Sequence, residues 1–143
     1  MMTQEMQHFK ELIAFGVPIS RLSCSEWDMQ GWDLSGVVFD NVDFSQADLR
    51  GANLQQAVFN HCRLTGAQLH GVQAQELILY GCEASSTDWQ GAQLQQAKWT
   101  ECDLDQSDFR GADLSELICS TCSCVDARFD EAVLSSAVLQ KMN

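Results

Sequence analysis

The chain has 143 residues, with 20 acidic side chains against 8 basic ones and a formal charge of −12. That balance argues against direct nucleic-acid binding, because displacing counterions from a phosphate backbone needs Lys and Arg. No apolar run is long enough to span a bilayer as a helix, and no basic segment leads into an apolar secretory core, so a soluble, cytoplasmic protein with no membrane contact is expected.

Residues 1–21 form the first predicted unit, a short N-terminal helical cap. Thr3 is placed to cap the helix, Met6, Phe9, Leu12 and Ile13 share one face, and Gly16 with Pro18 ends it.

A different rhythm then takes over. From Leu34 through Phe39, Phe44, Leu49 and Leu54 to Leu134 and Leu139, every fifth residue is apolar without a slip. Two places before each stands a second register that is mostly small, as at Ala47, Ala52, Ala57 and Ala67. Neither the helical period of 3.6 nor simple alternation produces this pattern. A solenoid does, which predicts one repeat domain over 22–139 and a short tail over 140–143.

A longer period lies inside the first. Gly31, Gly51, Gly71, Gly91 and Gly111 are twenty residues apart, as are Cys62, Cys82, Cys102 and Cys122. Four pentapeptides therefore make one coil, and the glycine column predicts one corner whose backbone differs from the other three. Residues twenty apart should stack as parallel strands about 4.7–4.9 Å apart. Volume exchange fits that stacking: Leu77, large in the small register, shares its coil with Ala74 and Ala84.

The segments Ala47-Asp48-Leu49-Arg50-Gly51, Ala52-Asn53-Leu54-Gln55-Gln56 and Ser107-Asp108-Phe109-Arg110-Gly111 resemble the A(D/N)LXX consensus of the pentapeptide-repeat family. The resemblance implies an all-β fold, a right-handed quadrilateral parallel β-helix. Members of that family include Qnr-type and mycobacterial gyrase-protecting proteins, which look like DNA in size and charge and dimerise through the C-terminal end. One function the resemblance implies is therefore a DNA mimic that modulates or protects DNA gyrase or another DNA-binding protein.

No catalytic constellation is legible, and no cofactor or metal is expected; the chain reads as a non-enzyme. His8, His61 and His70 are scattered, and all seven cysteines occupy inward registers, where a buried free thiol acts as a small apolar filler. Asp28, Asp33, Asp43, Asp48, Asp88, Asp103, Asp108 and Asp113 each precede an inward centre. Much of the negative charge is thus the motif's own signature.

Sorting charge by side separates one face from the rest. The side centred on Phe39, Phe59, Leu79 and Trp99 balances Asp40 and Glu101 with Lys98 and Lys141, so the net charge lies on the other three. Where the motif favours Asp or Asn, this side reads Val38, Val58, Ile78, Lys98, Ile118 and Val138, with Tyr80 beside Ile78. The predicted partner-binding residues are accordingly Val38, Val58, Ile78, Tyr80, Ile118 and Val138. The repeat continues to Leu139, and Val133, Leu134, Val138 and Leu139 are the predicted homodimer interface at the C-terminal end. The function expected is that of a rigid acidic rod, a protein–protein interaction module for a protein partner.

Overall fold

The computed structural model describes residues 2–143. Thr3 opens helix α1 (Gln4–Phe15) by accepting the Met6 N–H on its hydroxyl at 3.1 Å, and Gly16 closes it in the left-handed region at φ 70°. Of the apolar helix face only Phe9 is fully buried. Its ring meets Trp27 edge-on at 5.5 Å and lies 6.1 Å from Trp32 and 6.2 Å from Phe39. Trp27 and Trp32 stand at positions that are small in later coils, and their bulk fills the space between the first coil and the helix. Lys10 extends its ammonium over the Trp32 ring at 4.2 Å. The helix thereby covers the apolar cross-section at the start of the rod.

Seven short strands follow: β1 (Ile19–Ser20), β2 (Val38–Asp40), β3 (Val58–Asn60), β4 (Ile78–Tyr80), β5 (Lys98–Thr100), β6 (Ile118–Ser120) and β7 (Val138–Gln140). They form one parallel sheet in sequence order, and the register Phe39↔Phe59↔Leu79↔Trp99↔Cys119↔Leu139 keeps the twenty-residue offset throughout. The other sides pair through single bridges such as Ser23↔Asp43, Asp28↔Asp48 and Asp33↔Asn53. The fold is a right-handed quadrilateral parallel β-helix with one N-terminal helix. Stacking begins with β1, ahead of position 22, because Ile19 keeps the five-residue phase of Cys24 and Met29 and is itself buried.

The interior is an unbroken column of inward centres with two aromatic clusters. Phe39, Phe44 and Phe59 lie within 4.8–5.3 Å of one another near the cap. Trp89, Trp99 and Phe109 form the second cluster, and Phe109 stacks on Phe129 at 5.1 Å. Between them Leu77 is fully buried beside Ala74 and Ala84, as volume exchange requires. Six cysteines are buried and Cys124 is half-buried, because it belongs to the last coil, where the column is open. All seven are free thiols, and burial pushes Cys24 and Cys62 up to about 12, which keeps both protonated.

The corners depart from the sequence expectation. Gln46, Gln56 and His61 have φ of 58°, 60° and 52°, in the same left-handed region as Gly51 at 68°. Every corner turns this way, two residues after each inward centre, so the glycine column does not mark a different backbone. A Cβ at Gly51 would meet nothing within 4 Å. Glycine there relieves only the about 1–2 kcal/mol that an L-residue meets in this region.

Candidate interaction face

Along β2–β6 the middle residue of each strand points inward and is buried, and its neighbours point out, whereas in β7, at the last coil, all three residues are exposed. Register therefore sets Val38, Val58, Ile78, Lys98, Ile118 and Val138 in one vertical ladder. Val38 and Val58 are half-buried, whereas Ile78, Tyr80, Ile118 and Val138 are each about two-fifths exposed (38%, 39%, 44% and 43%). The Tyr80 ring meets His61 edge-on at 5.1 Å, and His61 lies against Gly81, where a Cβ would come within 2.6 Å of Nδ1.

A polar wall runs beside this ladder. Gln56 Nε2 donates to Glu76 Oε2 at 2.7 Å, and Gln96 Nε2 donates to Glu116 Oε2 at 2.8 Å. Between that wall and Ile78, Lys98, Ile118 and Val138 lies a groove of about 610 Å³ that reaches Ser136. Lys98 makes no ion pair among the described residues, whereas Arg50, Arg63, Arg110 and Arg128 each pair with a carboxylate of their own side. The groove thus combines exposed aliphatic surface, two carboxylates and one free ammonium.

Two exposed residues at the helix end escape the sequence reading. Phe15 is 80% exposed, and Val17 lines a small recess with Pro18, Val37 and Val38 at the start of the same ladder. The available signal is that Phe15 falls off the Phe9 face and immediately precedes the capping glycine. It is an apolar side chain the cap does not need.

At the far end Val133, Leu134, Val138 and Leu139 are all exposed, together with Val125 and Phe129. They frame the open cross-section of the last coil.

The acidic sides have a local structural task. Asp28, Asp33, Asp43, Asp48, Asp88, Asp103, Asp108 and Asp113 each accept the backbone N–H two residues on, at 2.8–3.2 Å. These are Asx turns, and Asn53 makes the same bond at 3.0 Å without charge. Hydrogen bonds from Arg50 and Arg110 hold Asp48 and Asp108 below the ordinary carboxylate value, and the Ser35 and Ser115 hydroxyls do so for Asp33 and Asp113. A depressed folded-state pKa contributes stability that is complete above the unfolded value and lost as pH falls through the folded one. The melting temperature should therefore be level down to about pH 5 and drop below about pH 4, and Asp48→Asn should flatten part of that drop in a thermal melt series. Among the described residues no group of three or more His, Cys, Asp or Glu is placed to hold a metal ion. No described helix is long and apolar enough to cross a membrane.

Comparison with known proteins agrees with this geometry. No curated protein matches the chain in sequence. In fold it is similar to a trypsin-treated variant of QnrB1, a plasmid-mediated fluoroquinolone resistance protein, at 18% identity and a TM-score of 0.72 over 88% of this chain and 73% of that one. Full-length QnrB1 aligns at 17% identity and a TM-score of 0.54 over 82% and 71%. At these identities the likeness is one of fold. The family model "pentapeptide repeat region" matches residues 52–129, and the model "pentapeptide repeats (8 copies)" matches 23–56. With the coil geometry and both matches in agreement, the chain belongs to the pentapeptide-repeat family.

Proposed function

We propose that this protein is a non-enzymatic interaction module of the cytoplasm that docks a protein partner on the β2–β7 face. The observation that carries the reading is the aliphatic ladder Val38, Val58, Ile78, Ile118 and Val138, at positions where the neighbouring sides place the Asp or Asn of their Asx turns. Stacking of β-branched residues along the ladder adds only about 0.2–1 kcal/mol per pair, and the exposed remainder is the kind of contiguous apolar patch that serves recognition. Tyr80 adds aromatic surface beside the ladder, and Val17 extends its apolar surface at the start. Val58→Asp combined with Ile78→Asp should weaken partner binding by about tenfold or more in a protein whose circular dichroism is unchanged. Partners isolated with the wild-type chain from its native host and measured by calorimetry against both proteins provide the check; equal affinity would reject the face. The apolar end bearing Val133, Leu134, Val138 and Leu139 completes the reading as a homodimer contact, measurable by sedimentation.

A second reading is favoured by the charge of −12 and by its confinement to three sides. A DNA-like acidic surface would compete for the DNA site of gyrase or of another DNA-binding enzyme, in keeping with QnrB1 being a plasmid-mediated fluoroquinolone resistance protein. Replacing the eight Asx-turn aspartates with Asn retains the turn, as Asn53 shows, and removes eight of the negative charges, leaving −4. In this reading the wild-type chain alters a gyrase supercoiling assay at micromolar concentration and the asparagine variant does not. Indifference of gyrase to both would leave the docking face as the remaining function.

A further inference from the structure

The chain carries −12 overall, so two copies repel on most approaches, yet on the β2–β7 face Asp40 and Glu101 are offset by Lys98 and Lys141. Two such rods can meet there without opposing net charge. The edge of this face alternates amide and carboxylate. Gln56, Glu76, Gln96 and Glu116 stack in one corner column, all exposed, and each glutamine donates to the glutamate twenty residues on. Beside them Lys98 is the single cation of the aliphatic ladder, exposed and free of any ion pair among the described residues.

With each strand counted as a rung, the stacking restricts how this face can meet a copy of itself, because a two-fold contact sets residue i on j and j on i. An axis along the rod would lay the aliphatic ladder on the polar column of Asp40, Asn60, Thr100 and Ser120. An axis along the strands lays ladder on ladder and runs the rods antiparallel. Passed through the Ile78 rung or the Lys98 rung, that axis sets Glu76 on its own copy or Lys98 on its own copy. Midway between those rungs, it sets Gln96 against Glu76 of the second copy, Gln56 against Glu116 of the second copy, and Lys98 beside Glu76 of the second copy. No carboxylate then faces another. The exposed Val138 of the second copy falls on Val38, where Val17, Pro18 and Gly36 line a recess of about 150 Å³.

We propose that a second copy of this chain occupies the β2–β7 face, antiparallel, about a two-fold axis between the Ile78 and Lys98 rungs, with two reciprocal Lys98–Glu76 ion pairs. The inference rests on the docking reading of this face and names its occupant. From the Val38 rung to the Val138 rung, at about 4.8 Å per rung and about 15 Å across, the face offers about 400 Å² per copy. That area lies at the low end of interface sizes, so the dimer is weak and reversible.

Sedimentation of the full chain should show a monomer–dimer equilibrium with a Kd of about 100 µM. Lys98→Glu and Glu76→Lys should each weaken it about tenfold or more, because like charges then face each other, and the double variant should return to within about threefold of the wild type. An equimolar mixture of the two single variants should dimerise although neither does so alone. Lys98→Glu mixed with Glu116→Lys should stay monomeric. Leu134→Asp with Leu139→Asp, which alters the open end, should leave the equilibrium within about threefold of the wild type. Association that ignores both charge reversals, fails to return in the double variant or is lost with the end variant would overturn the proposal, and a dimer from the Glu116→Lys mixture would overturn its register. A wild-type chain monomeric throughout would overturn the second copy. A host partner that still binds it, and binds Val58→Asp with Ile78→Asp more weakly, would then keep the docking reading, whereas equal affinity would reject both.

Discussion

Phe9→Ala is expected to lower stability by about 3–5 kcal/mol, the range for removing a large aromatic from a buried site. Phe9 is the one fully buried residue of α1, and its ring contacts Trp27, Trp32 and Phe39 at once. A solenoid coil contacts only its neighbours, so the loss should be felt first at the N-terminal end and spread coil by coil. Three measurements follow. The helical signal of Gln4–Phe15 should fall in circular dichroism, Trp27 and Trp32 should shift their fluorescence to the red, and α1 amides should lose hydrogen-exchange protection before those of β4 and β5. Phe15→Ala provides the internal contrast. That side chain is 80% exposed, so its removal should change stability by no more than about 0.5 kcal/mol. If Phe15 serves the docking face, the same variant should weaken partner binding, which separates the cap's two aromatic residues by role.

The repeat was legible because its physics is local and repeated. An inward centre every fifth residue and a stacking partner twenty residues on are both visible as pattern, and the register Val38↔Val58↔Ile78↔Lys98 follows from counting. The corners were not legible in the same way. Glycine at 51 and glutamine at 56 share one backbone conformation, so residue type at a corner reports a preference and not the dihedral angle. The Asx turns explain why Asp or Asn stands before many centres off the β2–β7 face, a reason that the motif alone conceals. The cap's docking was half-visible: the Phe9 face is periodic, but the receiving residues Trp27 and Trp32 are identified only by being too large for their register. Of the candidate face, the ladder itself could be read from sequence, whereas the groove could not, because it depends on Gln56 and Gln96 reaching across coils to Glu76 and Glu116.

Thr87→Val should cost about 1–3 kcal/mol even though the two side chains have nearly the same shape. Thr87 is buried, its hydroxyl donates to the Ala84 carbonyl at 2.9 Å, and the same oxygen accepts the Trp89 indole N–H at 2.6 Å. Valine removes that acceptor and leaves the indole N–H unpaired in the core. Ser107 cannot substitute fully. Its oxygen lies 2.7 Å from Thr87 Oγ1 and already faces the Ala84 carbonyl at 3.1 Å and the Thr87 backbone N–H at 3.3 Å. Ser107→Ala should also destabilise, because it removes the acceptor of the buried Thr87 backbone N–H, although Thr87 can still donate to Ala84 and accept from Trp89. The decisive comparison is the cycle with Trp89→Phe, which removes the donor. Once the donor is absent, Thr87→Val has no N–H to orphan, so the double variant should be more stable than the sum of the single losses predicts, by about 1–3 kcal/mol. Urea unfolding of the four proteins measures that coupling. Strict additivity would mean that the 2.6 Å contact contributes packing alone, and that the buried hydroxyls of this side serve as volume in the small register.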